Sequence, residues 1–343
     1  MEPQRPFLVS LNELHDRGGW DAVFGRQAPL ELEIGFGWDP FLIEAAARRP
    51  DTDFIGLEYD RQRVREFEAR IGHAGLTNLR VCHGEALHAI PRLFGRGQLQ
   101  RVYIHFPDPW PKKRHQKNRL LGPRFLKLLF YHLADGAELI AGTDSPEYRD
   151  FISASLFGLP EIVNPLAPHD WVDRLPGHPA TKFEKIFRAQ GKPVFYFLRT
   201  RGPAFAAAHD GEIAALCQRI PRRMDTMPHV VLSGPADLAS LFQDFQPHQW
   251  REGNVVFKLT EAWRSARQPN LLLESLIVED GHDEWFYLEL SPKSKGLVVK
   301  VALVREVDRN ELLFRFLAGV VRWLQQRQPG LAVARHNLAG FMD

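Results

Sequence analysis

The sequence predicts an α/β chain with a doubly wound parallel sheet over residues 1–204, followed by a smaller α+β domain over residues 205–343. Three observations carry this. Short apolar runs alternate with amphipathic helical segments through the first 200 residues, the pattern of repeated strand–helix units with right-handed crossovers. Beyond Pro203 the alternation gives way to closely spaced apolar and aromatic runs. One long amphipathic segment, RNELLFRFLAGVVRWLQQRQ, closes that second pattern just before Pro329-Gly330, a helix-stop signal.

Taken in order, LELEIGFG (Leu30 to Gly37) reads as a strand ending in a glycine turn. PFLIEAAARRP is a helix with Pro50 beyond its end. DFIGLEYD is a second strand, and RQRVREFEARIGHAG a second helix whose apolar face is Val64, Phe67 and Ile71. LRVCHGEA and RVYIHF are strands three and four. PRFLKLLFYHLADG reads as a helix closed by a glycine, and AELIAGTD as a fifth strand. PAFAAAHD is a linker or a helix start. After it, NVVFKLTEAW, NLLLESLIVED, EWFYLELS and GLVVKVALV read as strands separated by turn signals such as Asp280-Gly281.

The net charge is only +2, so nucleic acid could be held only by local clustering of basic residues. The second domain balances its acids and bases, which argues against an electrostatic clamp there. Cys82 and Cys217 lie far apart and form no metal or disulfide pattern, which fits a reducing cytoplasm. The stretch MEPQRPFLVS lacks the apolar core of a signal peptide. No apolar run approaches the ~20 residues of a membrane span, so the expectation is a cytoplasmic protein with no membrane association. His105, His115 and His132 show no metal-ligand spacing, and His88 and His178 are as uninformative; no metal is expected. Monomer and homodimer both stay open.

In open parallel sheets, ligands sit beyond the carboxyl ends of the strands. Four acids fall there: Glu33 in the first strand, Glu58 ending the second, Glu85 after the third and Asp108 after the fourth. Gly35 and Gly37 let a ligand approach the backbone, and Glu58 stands where a carboxylate would hold ribose hydroxyls. A nicotinamide dinucleotide would use the same geometry. However, GFGWD lacks the third glycine of G-x-G-x-x-G, which pyrophosphate binding needs. Several carboxylates with no phosphate-binding partner suit S-adenosylmethionine better, because it carries a sulfonium and an ammonium but no phosphate.

The stretch FPDPWPKKRHQKNRL, Phe106 to Leu120, sets Asp108 and Trp110 among three prolines just before a basic run. Prolines fix their own φ and restrict the residue before them, so Asp108 and Trp110 are expected in extended, stiff backbone. This stretch resembles the signature of the bacterial tRNA (guanine-N7)-methyltransferase family. GTDSPEYRDF (Gly142 to Phe151) and TKFE (Thr181 to Glu184) agree in order and separation, over roughly residues 5–200.

The resemblance implies a Rossmann-like S-adenosylmethionine-dependent methyltransferase domain that forms 7-methylguanosine at position 46, in the variable loop of tRNA. It implies that Glu33, Gly35, Gly37, Glu58, Glu85 and Asp108 line the cofactor site, and that Asp108 is catalytic. Lys112, Asp144, Thr181, Lys182, Phe183 and Glu184 would contact the target nucleotide. Lys113, Arg114, Lys117 and Arg119 would hold phosphates, and Trp110 or Phe183 could stack on an unstacked base. Glu85 stands where the family usually has Asp, Asp39 where a glycine is common, and Asn118 where an arginine is frequent. Glu85 and the extra domain leave a second reading, a non-catalytic RNA-binding protein that keeps the fold.

Overall fold

The computed structural model describes residues 7–217, 227–265, 268–279, 282–302, 310–338 and 340–342. The expected turn at Asp280-Gly281 lies outside them. The chain divides into two units, Met1–Arg219 and Ile220–Asp343.

In the first unit α1 (Leu11–Arg17) and α2 (Trp20–Phe24) precede β1 (Leu30–Ile34), α3 (Phe41–Arg48), β2 (Asp53–Glu58) and α4 (Arg61–Ala74). There follow β3 (Leu79–His83), α5 (Ala86–Leu93), β4 (Leu99–His105), α6 (Pro123–His132) and β5 (Leu133–Thr143). Then come α7 (Pro146–Phe157), β6 (Ile162–Val163), α8 (Lys182–Ala189), β7 (Phe195–Arg201) and α9 (Phe205–Cys217). The strands form one sheet in the order β3-β2-β1-β4-β5-β7-β6.

β1 to β5 pair in parallel, as expected of strand–helix repeats. β7 runs antiparallel to both β5 and β6, so the sheet is mixed and not purely parallel as expected. Successive strand residues point to opposite faces. Leu32, Ile34, Val102 and Ile104 pack under α5 and α6. On the other face Phe54, Val81, Tyr103 and Ile140 meet α3 and α4. The expected face of α4 is buried at Val64, Phe67 and Ile71, and Asp60 caps that helix by accepting from the Gln62 and Arg63 amides.

Two expectations shift. The helix in PRFLKLLFYHLADG ends at His132, without using the glycine, because Leu133 already pairs with Leu99; the ladder resumes at Glu138 opposite Arg101. The expected domain boundary after residue 204 cuts α9 off from what it packs on. Phe205 is fully buried against Phe130, with ring centroids 5.9 Å apart. Glu212 meets Lys127 at 2.8 Å. The division therefore falls at Arg219.

The second unit carries β8 (His229–Ser233), α10 (Leu238–Gln243), β9 (His248–Glu252), β10 (Val255–Arg264) and β11 (Leu271–Glu279). It continues with β12 (His282–Lys293), β13 (Gly296–Val301), α11 (Glu311–Arg327) and β14 (Ala332–His336). The strands make an antiparallel sheet ordered β14-β8-β13-β12-β11-β10-β9. Leu313, Phe316, Leu317, Val320 and Leu324 of α11 are buried in the same core as Phe257, Leu273, Leu288 and Val299 of this sheet. β8, β9 and β14 are additions to the strands read from sequence. No described helix is long and apolar enough to cross a membrane.

Candidate active site

The strand order reverses at β1, which pairs in parallel with β2 on one side and β4 on the other. Ligands of such sheets bind beyond the carboxyl ends at this point, and the five parallel strands deliver Glu33, Glu58, Glu85, Asp108 and Asp144 to that one edge.

Glu33 is buried, 1% exposed. Its Oε1 lies 2.8 Å from His105 Nδ1 at the end of β4, while Oε2 has no hydrogen-bond partner. Burial pushes its carboxyl well above the usual range, and the nearby Asp39 and Glu58 charges add to the effect. The turn that follows needs glycine, since φ is +73° at Gly35 and +51° at Gly37. The Gly37 amide donates to Glu58 Oε2 at 3.0 Å. Glu58 Oε1 accepts from the Tyr59 and Asp60 amides at 2.9 and 3.1 Å. A carboxylate offers about four acceptor positions, so Glu58 clamps the glycine turn to β2 and keeps little capacity for a ligand. Glu85 is half-exposed and caps α5, accepting from the His88 amide at 3.2 Å and meeting His88 Nδ1 at 2.6 Å. Burial raises its carboxyl, but the His88 contacts outweigh burial and leave it below the usual range.

Asp39, set down from sequence as a tolerable departure from glycine, is buried. Its carboxylate accepts from the amides of Lys182 at 2.6 Å, Phe183 at 3.4 Å and Phe41 at 3.0 Å. An acid here complements the exposed amides and dipole of the α8 N-terminus, and it ties TKFE to the glycine turn. Thr181 caps the same helix by accepting from the Glu184 amide at 3.1 Å. Glu184 accepts from Tyr196 Oη and Arg188 Nε, each at 2.8 Å. Thr181 and Glu184 are both buried, and these hydrogen bonds hold the start of the helix in place. Lys182 is exposed and Phe183 half-buried, and these two present the element outward.

The proline loop is strained where extended backbone was expected. Phe106 and Trp110 adopt φ of +50° and +44°, at about 1–3 kcal/mol each. Between them Asp108 is exposed. Arg119, expected to grip phosphate, is only 8% exposed. Its Nε donates to the Pro109 carbonyl at 2.9 Å and its Nη2 to Glu147 at 2.9 Å, with the guanidinium over the Tyr148 and Phe151 rings. Arg119 therefore braces the loop from beneath. Lys112, Lys113, Arg114 and Lys117 are exposed on and beside the 3₁₀ segment Lys113–Asn118. Asp144 lies 3.5 Å from Lys192.

Sequence reasoning missed His105 and His178. His105 is buried, and its Nε2 lies 3.1 Å from His178 Nε2. The available signal was register: the end of β4 runs beside the end of β1, which puts His105 next to Glu33.

Residues 27–197, all within the first unit, match the model of the family described as "Putative methyltransferase". A tRNA (guanine-N(7)-)-methyltransferase of Geobacter metallireducens is 34% identical over 208 residues, which is 61% of this chain and 98% of that protein. One from Idiomarina loihiensis is 39% identical over 170 residues, 50% of this chain and 69% of its own length. A third, from Syntrophotalea carbinolica, is 32% identical over 203 residues, covering 59% and 87%. Relatedness at this level over nearly the whole of a relative, on a chain with this strand order and acidic edge, places the protein: it belongs to the tRNA (guanine-N(7)-)-methyltransferase family.

Proposed function

We propose that the chain transfers a methyl group from S-adenosylmethionine to N7 of guanine at position 46, in the variable loop of tRNA, in the cytoplasm. The observation that carries this reading is Asp108, exposed on a strained, braced loop between an edge of carboxylates and four exposed cations. The residues at that edge fit the cofactor. Glu33 offers an unpartnered buried oxygen to a cation, the Gly35–Gly37 turn leaves its backbone open, and Glu85 stays ionised at the rim. When bound, S-adenosylmethionine supplies a methyl group activated by its sulfonium.

Guanine N7 already carries an in-plane lone pair, so no base is needed to uncover it. The work left to the protein is alignment and stabilisation of the charge that develops on the ring. Asp108 accepts hydrogen bonds from the guanine N1–H and N2 amino group. These protons become more acidic as N7 gains positive charge, so the bonds strengthen toward the transition state. Asp144 is the second acid in reach of this role, since Glu184 is committed to Tyr196 and Arg188. Lys112, Lys113, Arg114 and Lys117 hold the phosphate backbone, which gives affinity without sequence choice. Phe183 or Trp110 stacks on the extruded base.

The test is methyl incorporation from S-adenosylmethionine into unmodified tRNA, followed by mapping of the modified base. The reading expects one 7-methylguanosine in the variable loop. Methylation elsewhere, or none by a folded chain that binds the cofactor, would contradict it; the latter would favour an RNA-binding protein that only keeps the fold.

A further inference from the structure

A hydrogen-bonded line runs from Glu33 through His105 to His178, and the function proposed above uses Glu33 but neither histidine. It starts at Glu33, whose Oε2 has no partner, and passes from Oε1 through His105, with contacts of 2.8 and 3.1 Å. It ends at His178, which lines a cavity of about 500 Å³ with Arg49, Arg101, Tyr103, Glu138 and Leu198. The two imidazoles are sheathed. Phe41 sets its ring 4.5 Å from His105 and 5.4 Å from His178, and Tyr103 stacks at 5.7 and 6.0 Å. Such packing keeps water off the line between its two ends.

An isolated buried carboxylate is costly, and the group neutralises instead. A cation arriving at Glu33 reverses that preference. Resting on the reading that this edge binds S-adenosylmethionine, we propose that Glu33, His105 and His178 form a proton relay that ionises Glu33 as the cationic cofactor binds and delivers its proton to water in the cavity.

The transfer balances as a shift of tautomers. Before binding, Glu33 donates its proton to His105 Nδ1, His105 Nε2–H donates to His178 Nε2, and His178 Nδ1 carries a proton. On binding, the O–H bond of Glu33 breaks as His105 Nδ1–H forms. His105 Nε2 passes its proton to His178 Nε2, and His178 Nδ1 releases one proton to cavity water. Each imidazole begins and ends neutral, in keeping with His105 and His178 being pushed down by burial to about 4 and about 3. The charged groups facing the line are Asp39 and Glu58 at Glu33, Asp39 and Glu184 at His105, and Glu184 and Arg101 at His178.

The experiment is titration calorimetry of the full chain with S-adenosylmethionine in two buffers of different ionisation enthalpy, at about pH 6, where an α-amino group stays protonated. It is paired with stopped-flow release monitored by a pH dye. The wild type should release close to one proton per cofactor bound, and Glu33→Gln, which loses the carboxylate that meets the cation, should bind more weakly and release none at cofactor concentrations that saturate it. A positioned proton-transfer group is worth about 10²–10⁴-fold in rate, so His178→Leu should release the same proton at least ~tenfold more slowly. His105→Asn, which keeps a hydrogen bond to Glu33, should show the same delay and decides the matter if His178→Leu does not fold. Binding without proton release overturns the relay, as does release by Glu33→Gln or an undelayed release by both histidine variants. Absence of any cofactor binding by the wild type overturns the functional reading itself, and this inference with it.

Discussion

The two sheets of this protein bury different things. At the carboxyl edge of the first sheet and just beside it, Glu33, Asp39, Glu58, His105, Thr181 and Glu184 are all out of solvent. Among the described residues of the second unit, the buried polar side chains are Ser275 and Asn310 alone. Buried ionisable groups cost stability unless they are paired, and the first unit meets that cost with a network that ends in one unpartnered oxygen on Glu33. The second unit buries the apolar face of α11 instead, and stability is the whole return on that burial. A concentration of buried charge in one place marks where a protein has given up stability for chemistry.

If this contrast holds, acid should attack the first unit hardest. His132 is buried, its Nδ1 lies 3.1 Å from the Gly95 carbonyl and its Nε2 has no partner, and burial pushes it down to about 4. The unfolded chain takes up this proton near the ordinary pKa of about 6.5. Stability is therefore complete above that pH and is lost as pH falls toward 4, by on the order of 3 kcal/mol. Denaturant melts at successive pH values should show the loss, and His132→Gln should remove its share while that of His105 and His178 remains. Next in size, Asp39→Ala strands the Lys182 and Phe183 amides and should cost about 1–3 kcal/mol while weakening tRNA binding through α8; an unchanged melt would detach Asp39 from the frame.

In the second unit a Cβ on Gly319 would lie 2.4 Å from the Trp250 ring. Overpacking costs about 1–3 kcal/mol against the ~1 kcal/mol that Ala gains in a helix. Gly319→Ala should therefore lower the melting temperature while leaving kcat alone, and a matching loss of kcat would blur the contrast between the units. The smallest effect is on salt dependence. Lys112→Glu with Lys113→Glu should reduce the slope of log Kd for tRNA against log salt by about 1–2, each lost phosphate contact counting for about 0.7–0.9. An unchanged slope would remove both lysines from the backbone contacts.

Much of the frame was legible because it rests on local rules. The period of Val64, Phe67 and Ile71 placed α4, and the acids after successive apolar runs do fall on one edge of the sheet. Pairing was not legible. Nothing local says that Phe195–Arg201 runs antiparallel to β5, or that Leu133 joins Leu99 and so ends α6 early. Burial was hidden for the same reason. Arg119 looks like one cation among five in Lys112–Arg119, but the α7 side chains Glu147, Tyr148 and Phe151 convert it into a brace. Thr181 and Glu184 sit in a four-residue motif, and nothing local says that Tyr196 and Arg188 hold Glu184 from inside. The left-handed Trp110 was unreadable, since proline rules restrict φ and ψ without announcing strain.

Asp108 is exposed on its loop, where it can meet the guanine edge. The decisive measurement is kcat for methyl transfer to unmodified tRNA by Asp108→Ala beside the wild type, with the melting temperature taken on the same samples. The predicted result is a fall of about 10²–10³-fold, the usual cost of removing one group that stabilises transition-state charge, with melting unchanged. Full activity in a folded Asp108→Ala protein would contradict the account.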